Sequence, residues 1–159
     1  MKFVNYLLVL FAGFQTLTSC AEKVTEKQFN EATNFCYWYN NGTVAPECQE
    51  AVTYVVTCDS IIKTVSMESG KKVKKFKLKD GDFQEFLANI KKCGIAKRKK
   101  PVENLCCGGH SCGLDIYKGK ECLFSAYSYI GGGEDGGTLL TKQWVLGDLF
   151  GNLYQKYEK

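Results

Sequence analysis

The residues able to do covalent chemistry cluster in Leu105-Cys106-Cys107-Gly108-Gly109-His110-Ser111-Cys112, with Cys122 shortly after. The only histidine lies there, and with Cys122 so do four of the nine cysteines. Three chemistries use such residues. Cys106 and Cys107 are adjacent, so disulfide geometry predicts separate partners and a hub tying two chain segments together. Cys107, His110 and Cys112 would be the ligands of a metal site, but their spacing is irregular for zinc and export favours oxidation over thiolates. His110 is the candidate general base. Gly108 and Gly109 weaken any helix that would display it, so it reads as a loop residue. The expectation is a disulfide hub, with no metal, no cofactor and no catalytic residue.

Export is read from the first twenty residues. Lys2 is followed by the apolar run Val4–Phe14, then by Thr16, Thr18 and Ser19, and charge begins at Glu22. This predicts a signal peptide over residues 1–20 and a single cysteine-rich extracellular domain over 21–159. Leu17-Thr18-Ser19-Cys20 also resembles a bacterial lipobox, in which Cys20 would be lipidated. On either reading the remaining cysteines are Cys36, Cys48, Cys58, Cys93, Cys106, Cys107, Cys112 and Cys122. An even number in a small exported chain predicts a disulfide framework, without choosing its pairings. Asn41-Gly42-Thr43 is an N-glycosylation sequon, placing Asn41 in an exposed loop.

The formal net charge of +4 falls to +3 when Lys2 is lost. More than half of the 21 Lys and Arg residues lie between residues 71 and 100. One run is Lys71–Lys79; the other reaches from Lys91 to Lys100. Such fields attract anionic glycans or membrane surfaces, or simply keep a face solvated. Nucleic acid does not fit an exported chain, and no later segment reaches membrane-spanning length.

Helical spacing dominates the rest. Thr25-Glu26-Lys27-Gln28 matches a capping box and opens a helix running to about Tyr39. Pro46 starts a second, long helix to about Met67 through Cys48, Val52, Val55, Cys58, Ile62 and Val65. The competing signal is the β-branched content of residues 52–57 and 61–65, with Glu68-Ser69-Gly70 as a turn; a strand pair around residues 61–79 is the alternative. Asp80-Gly81-Asp82 opens a third helix, striped by Phe83, Phe86, Leu87, Ile90 and Cys93 and closed by Gly94. Lys97–Pro101 reads as an exposed linker, and residues 121–130 fit helix or strand. Residues 131–137, glycine-rich, form a flexible loop. Thr138 caps a last helix through Leu139, Gln143, Leu146, Phe150, Leu153 and Tyr157. The sum is a mainly α, disulfide-stapled domain, with an α+β fold containing a short hairpin as the alternative.

Three resemblances accompany this pattern. Cys106–Cys112 is similar to the active-site signature of secreted phospholipases A2, which implies His110 as base; Ser111 stands where that family has aspartate, and no calcium loop precedes it. Cys122–Ala126, the glycine loop and Trp144–Phe150 resemble the tail of pepsin-like aspartic proteases. The paired Asp-Thr/Ser-Gly motifs of that chemistry are absent from this sequence. Cys36 through Cys93 resembles nematode-type secreted cysteine-rich helical domains of unknown function, which lends no site residues. The function expected is that of a secreted binding or interaction protein, its partner an extracellular protein or an anionic glycan. A His110 hydrolase and a polyanion or membrane-surface binder are the alternatives.

Overall fold

Phe35, Tyr37 and Tyr39 alternate with Asn34, Cys36 and Trp38, and that period of two sets the architecture. The computed structural model describes residues 21–42, 45, 48–102, 109–130 and 136–158. Nine strands form one antiparallel sheet: β1 (Ala21–Lys23), β2 (Asn34–Asn40), β3 (Glu50–Thr57), β4 (Ser60–Met67), β5 (Gly70–Lys77), β6 (Ala96–Val102), β7 (His110–Lys118), β8 (Glu121–Ile130) and β9 (Gly136–Leu139). Their order across the sheet is β1-β6-β9-β8-β7-β2-β3-β4-β5. Helices α1 (Glu26–Glu31), α2 (Asp82–Lys92) and α3 (Gln143–Gln155) complete the described elements.

The helices share one face of the sheet. Phe35 packs edge-on against Phe86, Tyr37 stacks on Phe150, and Tyr54 and Phe76 meet Tyr154. Leu114, Ile116, Phe124 and Ala126 extend this core across β7 and β8. The sheet's other face carries Cys36, Trp38, Thr53, Val55, Ile62, Asp115, Tyr117, Tyr127 and Tyr129, and no described helix covers it.

The mainly α expectation is therefore overturned. The predicted first helix stops at Glu31, behind its intact capping box, and residues 34–40 become β2 at the centre of the sheet. The predicted helix from Pro46 to Met67 is two strands, turned at Cys58-Asp59, where Thr57 Oγ1 accepts from the Ser60 N–H and hydrogen-bonds Asp59. Here the β-branched side chains prevail over the helical spacing. The alternative strand pair is what forms: β4 and β5 pair from Ser60↔Lys77 to Met67↔Gly70.

The third helix stands where its stripe predicts, with Gly94 in a left-handed conformation just past it. Residues 97–101 are not a linker but part of β6, paired to β1 and β9. Residues 121–130 are strand. Of the predicted glycine loop, 131–135 lies outside the described residues, and Gly136-Gly137 begin β9. Thr138 caps no helix; its Oγ1 accepts from the Tyr127 N–H within the sheet, and α3 starts at Gln143.

The disulfide-stapled scaffold is also corrected. No disulfide joins any two of the described cysteines. They are dispersed: Cys48 and Cys58 lie in exposed connections, Cys93 ends α2, and Cys112 is buried on the helix side of β7. Cys36 and Cys122 face the same side, but β7 lies between their strands. Two strand spacings are roughly 9–10 Å, beyond the ~7 Å that a disulfide spans. Cys106 and Cys107, like residues 1–20 with Cys20, lie outside the described residues.

Candidate functional site

Where α3 begins, it leaves a groove against β2 and β3 instead of closing on them. Its walls are Tyr37, Tyr39, Val52 and Tyr54 from the sheet and Gln143, Trp144, Gly147 and Asp148 from the helix, around a volume of about 310 Å3. The sequence builds it by register. Tyr37 pairs with Tyr54 and Tyr39 with Val52, so all four side chains stand on the helix face. On α3, Leu146, Phe150, Leu153 and Tyr154 are the buried stripe that fixes the helix to the sheet. Gln143, Gly147 and Trp144 fall on the flank of that stripe, where the first turn lifts over the groove. A Cβ added at Gly147 would stand 3.4 Å from the Tyr37 hydroxyl, an ordinary contact, so this position does not require glycine.

The groove is polar as well as aromatic. Tyr37 Oη donates to the Gln143 carbonyl at 3.4 Å, a long bond. Burial pushes the Tyr37 phenol well above its ordinary pKa, and the neighbouring charges of Cys112, Tyr39, Tyr54 and Asp148 add to the shift. It stays a neutral donor at physiological pH. Gln143 Oε1 is shielded from solvent and accepts no hydrogen bond. A buried acceptor left in that state costs free energy, on the order of 1–3 kcal/mol. Trp144 stands over the mouth, 62% exposed. A second hollow of about 270 Å3 continues on its far side, toward Ser128, Leu139, Leu140 and Lys142.

His110 sits at the rim, as the first residue of β7 and not in a loop. Its ring stacks on Tyr39, and Nδ1 is 3.0 Å from the Tyr39 hydroxyl. Among the described residues no carboxylate hydrogen-bonds the imidazole; its partner is the Tyr39 hydroxyl. Among the described residues no group of three or more His, Cys, Asp and Glu side chains is placed to hold a metal ion. Asn41 is engaged on both sides of its amide: Oδ1 accepts from the Glu50 N–H and Nδ2 donates to the Cys48 carbonyl, which pins the β2–β3 connection. Thr43 of its sequon lies outside the described residues.

The uncovered face gathers a different cluster. Asp115 accepts from Ser125 at 2.6 Å, between Cys36 on one side and Tyr117 and Cys122 on the other. Burial pushes the Cys36 thiol up to about 11, with the Asp115 charge adding to it. A thiol held neutral is a poor nucleophile, so this cluster lacks the activation that cysteine catalysis requires. The two lysine runs do not converge either. The first lies on β5 at one edge of the sheet, the second largely on β6 near the other. Among the described residues no helix is long and apolar enough to cross a membrane.

Of the site residues singled out from sequence, His110 stacks on Tyr39 and Cys112 pairs with it across β2 and β7. Read from sequence, Tyr39 only ends the predicted first helix, and Trp144 enters only through a resemblance. The detectable signal was aromatic alternation in Phe35, Tyr37 and Tyr39, followed by Tyr54 in a β-branched run. Comparisons of the chain with protein-family models, curated proteins and solved structures found no match.

Proposed function

We propose that the chain is a non-catalytic binding protein, acting outside the cell, that takes a small ligand in the groove beneath the start of α3. The observation that carries this reading is an open aromatic cavity beside a finished core. Phe150 and Leu146 already seal the helix against the sheet, yet Tyr39, Tyr54 and Trp144 surround unfilled space. Its volume lies at the lower end of the ~300–1,000 Å3 typical of small-molecule sites, and its mix of apolar walls with a few polar groups is of the same kind. Folding gains little from leaving a tryptophan exposed over a hollow, whereas ligand binding does. The test is a thermal-shift screen of small amphipathic molecules against the wild type and Gly147→Leu. A leucine there projects into the groove from a helical position that accepts it. Compounds that raise Tm in the wild type should lose that effect in the variant. Equal shifts in both proteins would move binding elsewhere.

A second reading rests on β5. Lys71, Lys75 and Lys77 stand on the uncovered face of that outermost strand and form no ion pair among the described residues, while Lys74 on its other face pairs with a carboxylate, Glu158 at 2.9 Å. An anionic glycan laid along the strand would meet these ammonium groups in sequence. Elution from heparin below physiological salt, or unchanged elution of a Lys75→Glu/Lys77→Glu variant, would exclude it.

A further inference from the structure

The lining of the groove holds one carboxylate, Asp148, and no basic side chain, in a chain whose net charge is +4. Four of its eight lining residues are aromatic. Ring faces carry partial negative charge and attract cations, most strongly where water is excluded. The same tyrosine cluster already takes a cation from the chain itself: Lys63 Nζ lies 5.7 Å from the Tyr54 ring centre and 5.1 Å from that of Tyr154. The carboxylate points the same way. Asp148 is exposed at the groove and makes no ion pair among the described residues. An anionic ligand would face Asp148 with like charge. A neutral apolar ligand would leave Asp148 unpaired.

We propose that the ligand of this groove is an organic cation, a protonated or quaternary amine. Its charge lies between Tyr39 and Trp144 and toward Asp148. This assignment rests on the groove being a ligand site and names the chemistry it selects. Lys63 already lies against the Tyr54 ring, so the ligand charge belongs toward Trp144 and Asp148.

The test compares choline with 3,3-dimethyl-1-butanol, which has the same shape and hydroxyl but no charge. The readout is the indole N–H resonances of the chain's two tryptophans. Trp38 lies on the opposite face of the sheet and serves as an internal control. Choline should shift the Trp144 signal, leave Trp38 in place, and bind about tenfold more tightly than the neutral analogue. Asp148→Asn should erase most of that difference while the tryptophan signals of the free protein remain native. Equal binding of the two probes at Trp144 would overturn the cation assignment and leave the groove as a site for neutral ligands. A Trp144 signal that neither probe moves would overturn the assignment and the groove reading together.

Discussion

Gly113 faces Trp38 across the β2–β7 pair, and a Cβ added there would overlap the indole ring. The tryptophan lies flat over the glycine, which is how a large ring fits on the uncovered face of a twisted sheet. Gly113→Ala should therefore lower stability by roughly 1–3 kcal/mol, the usual range for overpacking, and urea denaturation would measure it. An unchanged midpoint would mean that the indole simply swings aside. Beside it, Cys36 gives a prediction with a defined sign. Its thiol is pushed from 9.0 to about 11 by burial first and Asp115 second, so the folded protein holds this proton more tightly than the unfolded chain does. The stabilisation is complete below pH 9.0 and is lost as pH rises toward 11. Denaturation profiles between those limits should fall more steeply for the wild type than for Cys36→Ala. Parallel profiles would place the thiol in water.

At the scale of elements, β5 shows how a charge run works as structure. An outermost strand offers unpaired backbone groups, and lysines are a common means of keeping another strand from adding to it. Replacing Lys71, Lys75 and Lys77 by threonine should leave secondary structure intact and raise aggregation, followed by light scattering at increasing concentration. α1 depends on its cap: Thr25 Oγ1 accepts from the Gln28 N–H, and Gln28 returns the bond to the Thr25 N–H. Thr25→Ala should cost about 1 kcal/mol in unfolding free energy. That cap and the stripe of α2 were legible because each is a local pattern with one solution. β3 was not. Val52, Tyr54 and Val56 face the helices while Ala51, Val55 and Thr57 on the other side are also half-buried, so its period of two is blurred and a helical period can be drawn through it. β6 has only Ala96 and Val102 as aliphatic residues, at the two ends of a basic run. Backbone pairing on both sides holds it, and Lys97 lays its ammonium 5.0 Å from the centre of the Phe124 ring. The same blindness hid the groove, whose walls come from three segments that meet only through sheet register.

For the whole molecule, sheet order decides which surfaces can act together. Six strands separate β6 from β5, roughly 30 Å at ordinary strand spacing, several Debye lengths at physiological salt. The two basic runs are thus independent fields, one at each end of the sheet, and a modest net charge conceals both. The helices leave one face open and close the other except at the start of α3. That places the only tryptophan of α3 above a cavity walled by three tyrosines and bordered by His110. The central claim, that this cavity binds a small molecule, is tested most directly by recording ring resonances of labelled tyrosine and tryptophan during titration with a fragment library. The account predicts that bound fragments shift Tyr37, Tyr39, Tyr54 and Trp144 together and leave Trp38, Tyr117 and Tyr127 on the opposite face unmoved. Shifts confined to that opposite face, or no shift from any fragment at the groove residues, would contradict it.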